Sequence, residues 1–295
     1  RTRGLHVRAA PSLVSKVAHH ITCFPVYLPA MRPHRLGSLS PMPTYDPATA
    51  KSDFDKDGYT IQRNFLDERE TEEVTSNLDR YIEKVVPKVP VEHAFYEDKS
   101  DRSTLKQLPH MQTHDSYFER MLNKSAFREL AETLLDGEVV SKNVQFLCKP
   151  PTVGQATPAH QDGYYFMIEP VEGLTMWLGL DFADEENGCL RYVRGSHKKG
   201  LREHGRTQTL GFSQGITDFG TEDDLAHEAV YTASPGDLLT HHALTVHRAD
   251  ANRSATRTRR AIGLVYLSAR AKEHTEDLAE YRKNLGEDLA SKGRI

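Results

Sequence analysis

Long apolar runs are missing from this sequence: nowhere do about 18 or more apolar residues follow one another, which excludes a membrane-spanning helix and leaves a soluble chain as the expectation. Cysteine is scarce. Only Cys23, Cys148 and Cys189 occur, an odd number with no C-x-x-C spacing, so neither a disulfide framework nor a zinc knuckle is expected and a reducing compartment is the default. An excess of basic charge is missing as well. A net charge of -4 and a pI of 6.4 give no electrostatic footprint for a phosphate backbone, so nucleic acid is not expected and a small molecule fits better as partner. Internal repeats and low-complexity tracts are absent too.

Acidic residues are absent from the first 45 positions, which carry Arg1, Arg3, Arg8, Lys16, Arg32 and Arg35. Such a segment reads either as an organelle transit peptide or as an artefact of where the chain is taken to start, Met31 and Met42 being alternative starts. It is set aside as a disordered segment, which leaves residues 46–295 as one domain. The expected location is cytoplasmic, or organellar if residues 1–45 are a genuine transit peptide.

What remains is ordinary in composition, 38% hydrophobic and 27% charged, and at 295 residues long enough for a sizeable core. Asp67-Glu68-Arg69-Glu70 reads as a capped helix start, and Val74, Leu78, Tyr81, Ile82 and Val85 recur at helical spacing until Pro87. The stretch from Pro90 to Ser103 reads as a polar, mobile loop. A second helix is suggested by Phe127, Leu130, Ala131, Leu134 and Leu135, with Gly137 as its left-handed cap. Residues 46–137 are thus expected to be mainly helical.

After Gly137 the texture changes to short apolar, β-branched or aromatic runs bounded by turn residues. Five runs read as strands: Val139 to Lys149, Thr175 to Phe182, Cys189 to Val193, Asp237 to His242 and Arg260 to Ser268. Asn187-Gly188 and Pro235-Gly236 are turn candidates. Many short strands without βαβ alternation predict a barrel or sandwich over residues 138–270. A charged surface helix from Glu276 to Leu289 follows, and nothing demands more than a monomer or weak homo-oligomer.

His160-Gln161-Asp162 places two metal-capable side chains two residues apart, and on an extended segment these share a face. His247, just past the strand after Pro235-Gly236-Asp237, is the natural third ligand. Two imidazoles and one carboxylate form the facial set that suits iron(II) and leaves positions open on it. An isolated H-x-D in a chain with 15 histidines is most often a surface dipeptide, so further features must carry the reading. Arg257, Arg259 and Arg260 lie downstream, the last two opening the apolar run Ala261 to Tyr266. An arginine entering a core there needs an anionic partner, because an unpaired buried guanidinium is costly. His241 and His242 are candidates to support the ligands.

The region from about Asp53 to Ser268 resembles the phytanoyl-CoA dioxygenase family of iron(II)- and 2-oxoglutarate-dependent oxygenases. The resemblance rests on Pro158-Ala159-His160-Gln161-Asp162, Glu186-Asn187-Gly188-Cys189-Leu190, Gly195-Ser196-His197-Lys198, Pro235-Gly236-Asp237 and His247 followed by Arg259. It implies a mainly β fold with flanking helices, built on a double-stranded β-helix, jelly-roll or cupin-like core. It also implies His160, Asp162 and His247 as iron ligands, catalysis with 2-oxoglutarate and O2, and Arg259 holding the distal carboxylate, with Arg257 as fallback. Lys106, Gln145 and Trp177 match positions near the cosubstrate. The intact carboxylate at Asp162 argues for hydroxylation, since related halogenases carry a small residue there. A departure is Arg194, where the family has proline; with Arg191, Lys198, Lys199 and Arg202 it suggests either an anion-recognising rim or a solvated charged loop.

The implied reaction is hydroxylation of an unactivated C–H bond in a small molecule with release of succinate and CO2. Two other readings stay open. One is a non-catalytic metal-binding jelly-roll sensor module, against which Arg259 speaks; the other is a cupin-type metalloenzyme that does not use 2-oxoglutarate.

Overall fold

The computed structural model describes residues 45–209 and 212–291, so the expectations for the N-terminal segment lie outside the described residues. Helix α1 (Pro47–Asp57) starts at Asp46, whose carboxylate accepts from the amides of Ala48 and Thr49, and stops at Gly58 with φ +88°. Helix α2 (Glu68–Lys84) carries the capping box read from the sequence, Asp67 and Glu70 each accepting from the other's amide. Its Val74, Leu78 and Tyr81 are buried, and Pro87 falls in a 3-10 turn just beyond it. Helices α3 (Ser116–Asn123) and α4 (Ala126–Leu134) are capped by Asp115 and Ser125. The left-handed residue after α4 is Asp136 at φ +53°, not the expected Gly137, whose φ is +150°. A short polar side chain tolerates that region.

The strands are β1 (Tyr59–Gln62), β2 (Phe95–Tyr96), β3 (Leu105–Leu108), β4 (Val139–Lys149), β5 (Thr157–His160), β6 (Ile168–Glu169), β7 (Gly173–Gly179) and β8 (Leu190–Val193). They continue as β9 (His204–Thr209), β10 (Phe212–Ile216), β11 (Glu228–Tyr231), β12 (Leu238–His242), β13 (His247–Ala249), β14 (Arg259–Ser268) and β15 (Lys272–Glu273). Short helices α5 (Gly163–Phe166) and α6 (Glu222–His227) interrupt them, and α7 (Thr275–Ser291) follows. The expected strand over 139–149 is reproduced residue for residue, and the other four expected runs each overlap an observed strand.

A seven-stranded sheet has the order β1-β12-β7-β14-β4-β3-β2, and a four-stranded sheet the order β11-β8-β13-β5. All registered pairs in both are antiparallel. This is the jelly-roll architecture, mainly β with flanking helices. Period-2 alternation assigns the two faces of the larger sheet. Leu174, Met176 and Leu178 of β7, Leu238 of β12, and Ile262, Leu264 and Tyr266 of β14 join Phe54, Leu78, Phe118 and Leu130 from the helices in one core. The alternate residues, Thr175, Trp177, His241, Arg259 and Val265, line a cavity on the opposite face. Both faces of β7 are therefore buried along its length.

One turn depends on glycine in a checkable way. Gly236, before β12, has φ +87°, and a Cβ there would sit 2.4 Å from the carbonyl oxygen of Leu66. The turn thereby locks the start of β12 against the entrance to α2, with Leu66 N–H donating to the Gly236 carbonyl at 3.1 Å.

Candidate active site

His160 ends β5, and His247 begins β13; the two face each other in register across that antiparallel pair. Their rings lie 4.1 Å apart. Asp162 is not on an extended strand as the sequence suggested. It adopts φ −61°, ψ −28° at the start of α5, so the turn after β5, and not strand periodicity, swings its carboxylate towards the two imidazoles. Asp162 Oδ1 stands 3.4 Å from His160 Nε2 and 3.8 Å from His247 Nε2. One ligand atom from each of the three lies within 4.8 Å of the others, an arrangement that could hold a metal ion.

The tautomers follow from backbone partners. His160 Nδ1–H donates to the Pro158 carbonyl at 2.8 Å and His247 Nδ1–H to the Thr245 carbonyl at 3.0 Å. A carbonyl only accepts, so each ring keeps Nε2 as its acceptor nitrogen, the form a metal requires. Burial, reinforced by the His241 and His160 rings, pushes the His247 imidazole well below its ordinary range, which keeps it neutral. For Asp162 burial acts the other way, but His247, His160 and His241 around it hold the carboxyl well below the usual range, and it is ionised.

The three line a cavity of about 290 Å³ that also exposes Lys106, Gln145, Lys149, Trp177 and Arg259. His160, Asp162, His247, Lys106, Gln145, Trp177 and Arg259, picked out from the sequence, therefore all line this one space. Arg259 is 5% exposed and stacks over the Trp177 ring at 5.4 Å. Its Nε and the Trp177 Nε1 are buried donors without a hydrogen-bond partner among the described residues. Burial pulls the Arg259 guanidinium down to about 10, because no described carboxylate pairs with it. Arg257 is different: it pairs with Asp184 at 2.9 Å and with Glu186 and does not line the cavity.

Lys106 lines the cavity and pairs with Glu97 at 2.9 Å. Gln145 accepts from Gln107 Nε2 at 2.8 Å. Lys149 was not singled out from the sequence. It stands opposite Arg259 in the β14–β4 register, is 3% exposed, and donates to the Gln155 carbonyl and to Thr157 Oγ1. Burial, then the cations Arg259 and Lys106, push its ammonium well below the ordinary range. One signal was legible: Lys149 shares the strand phase of Gln145 and Leu147 and therefore their face. Three buried basic side chains, Arg259, Lys106 and Lys149, and the orphaned donors of Arg259 and Trp177 beside a metal-capable triad fit a small anionic chelator such as 2-oxoglutarate.

The opposite end is more apolar, with Phe166, Val265, Leu267 and Leu278 beside Asn143 and the Lys142–Glu273 ion pair at 2.8 Å. The basic stretch around Arg194 does not form an open rim. Arg191 pairs with Glu185 and Asp250, Lys199 with Asp223 and Arg202 with Asp218 and Asp224, and none of them lines the cavity. Of the two neighbouring histidines, His241 reaches the triad, whereas His242 points to the helix side, 5.8 Å from the Phe54 ring.

A jelly roll that gathers two histidines, an aspartate and an unpaired buried arginine in one cavity defines the class of iron- and 2-oxoglutarate-dependent oxygenases. Residues 54–261 match the phytanoyl-CoA dioxygenase (PhyH) family, and the chain belongs to it. A phytanoyl-CoA dioxygenase domain-containing protein 1 homologue of Caenorhabditis briggsae is 25% identical over 250 residues, 69% of this chain and 85% of that one. Several other curated relatives are matched over 51% to 63% of their own length. Among solved structures, EvdO2 from Micromonospora carbonacea var. aurantiaca, complexed with 2-oxoglutarate, is 25% identical, with 81% of this chain and 94% of that one covered at a TM-score of 0.60. The epimerase SnoN, in complex with Fe3+, alpha ketoglutarate and nogalamycin RO, shares the fold at 22% identity and a TM-score of 0.63, covering 77% of this chain and 87% of that one. The chain is an iron- and 2-oxoglutarate-dependent dioxygenase.

Proposed function

We propose that this dioxygenase hydroxylates an unactivated C–H bond of a small molecule, with His160, Asp162 and His247 holding iron(II) and Arg259 anchoring the distal carboxylate of 2-oxoglutarate. The observation that carries the reading is the unpaired, buried Arg259 guanidinium in the same cavity as the three converging ligand atoms. A sensor module has no use for such a group, and a cupin that does without 2-oxoglutarate would leave it uncompensated.

Bound there, iron(II) supplies the oxidising chemistry with O2 and 2-oxoglutarate, releasing succinate and CO2. The chain's own residues orient and insulate. Pro158 and Thr245 carbonyls fix the imidazole tautomers, Trp177 backs the Arg259 plane, and Lys106, Lys149 and Gln145 add polar contacts around the cosubstrate. The apolar end formed by Phe166, Val265, Leu267 and Leu278 receives the substrate carbon and excludes water.

The test is oxygen uptake and succinate formation by protein loaded anaerobically with iron(II), with and without 2-oxoglutarate, beside Asp162→Ala. Turnover that needs 2-oxoglutarate and disappears in the variant is the expected result. Oxygen uptake that proceeds without 2-oxoglutarate would favour the cupin-type enzyme. Silence of the wild type across a panel of small-molecule substrates, with iron bound, would favour the sensor.

A further inference from the structure

The two imidazoles come from the smaller sheet, through β5 and β13, but the carboxylate sits on a turn that no ladder holds. Its orientation must come from side-chain partners. Asp162 Oδ2 accepts two hydrogen bonds, from Thr175 Oγ1 at 2.5 Å and from His241 Nε2 at 3.1 Å. Thr175 and His241 are directly opposite one another in the β12–β7 register, so a single cross-strand pair of the larger sheet grips the carboxylate across the sandwich.

In a neutral His241 ring that donates from Nε2, Nδ1 is the acceptor, and Tyr192 OH lies 3.1 Å from that nitrogen. Tyr192 is fully buried and stacked on Tyr59 at 4.7 Å between ring centroids, so the hydroxyl is well fixed. The chain Tyr192 to His241 to Asp162 thus sets both tautomer and direction. We propose that His241 is a positioning residue: with Thr175 it occupies Asp162 Oδ2, restricts the metal to Oδ1, and fixes the carboxylate against the two imidazoles. His241 is not a fourth ligand, since the group of ligand atoms within 4.8 Å of one another comprises His160, Asp162 and His247 without it. Nothing in the sequence spacing distinguished His241 from His242; the strand phase does.

The inference rests on the metal-site reading above, and cobalt(II) separates the two, because its visible bands report coordination while its affinity is read by titration against a chelator. Partners that orient a metal's ligands typically contribute 10- to 100-fold in affinity. His241→Phe, similar in volume but without a donor, is expected to weaken cobalt(II) binding by about 10- to 100-fold and to shift its bands. His241→Gln, which restores an N–H at similar reach, is expected to recover most of that loss. Thr175→Val removes the other donor to the same oxygen and repeats the Phe result, so it replaces His241→Phe should the metal-free melting curve show that variant unfolded. Wild-type affinity and bands in both donor-deleting variants would overturn the inference. So would a loss in His241→Phe and His241→Gln as complete as in Asp162→Ala, which would make His241 a ligand. Wild-type cobalt binding by Asp162→Ala would overturn the metal-site reading and this inference with it.

Discussion

Replacing Arg259 by methionine should move stability and cosubstrate binding in opposite directions. In the absence of 2-oxoglutarate the guanidinium is buried without a carboxylate, and its drop from the ordinary 12.5 to about 10 measures what the charge costs the fold. At 1.36 kcal/mol for each unit, the displacement corresponds to about 3 kcal/mol. Part is returned by the stacking on Trp177, worth roughly 1 kcal/mol, and methionine fills much of the vacated volume. A net gain of about 1–2 kcal/mol remains, or a rise of roughly 2–6 °C in the melting temperature of the metal-free, cosubstrate-free protein.

With 2-oxoglutarate the sign reverses. Removing one partner of a buried charge pair costs about 3–5 kcal/mol, which is a weakening of roughly 100- to 3000-fold at 1.4 kcal/mol per decade. Thermal denaturation with and without 2-oxoglutarate, both with cobalt(II) present, reads the binding side, because a ligand stabilises the folded state by an amount that grows with the logarithm of its concentration relative to Kd. The wild type should gain several degrees from 2-oxoglutarate and Arg259→Met almost none. Arg257→Met, on the surface beside Asp184 and Glu186, should keep the 2-oxoglutarate shift. A ligand-free Arg259→Met less stable than wild type, or one that keeps the full shift, would refute the reasoning.

Acid stability should respond to His242, which burial pulls from 6.5 down to about 4. Its unfolded form binds a proton first, so stability present above about pH 6.5 is lost as pH falls through 4, by up to about 3 kcal/mol, and His242→Asn should flatten that part of a denaturant-midpoint profile. Gly236→Ala should cost at least about 2 kcal/mol by urea denaturation, since its Cβ would meet the Leu66 carbonyl at 2.4 Å at a φ of +87°. Asp67→Ala opens the capping box of α2 and should cost roughly 1 kcal/mol in the same assay, with 2-oxoglutarate binding unchanged.

Local signals in the sequence carried a large share of the result. The Asp67–Glu70 box, the strand over Val139–Lys149 and the turns at Gly188 and Gly236 are short-range features, each set by the conformational preferences of neighbouring residues. The H-x-D pair, the distant histidine and the following arginine were legible through their order and spacing, which carry the resemblance to the family, and the structure brings all four side chains to one cavity. Strands β5 and β13, which present the histidines, were not: each is four residues or fewer, below what periodicity can register.

Tertiary structure alone decided the rest. It turned Arg259 into the cavity and paired Arg257 with Asp184 and Glu186, it sent His241 inward and His242 outward through the phase of β12, and it set Lys149 opposite Arg259. Residue types and their order fix which chemistry is available, since coordination and charge are properties of side chains. Which of two like neighbours performs it depends on register and burial, and these exist only once strands distant in sequence have paired.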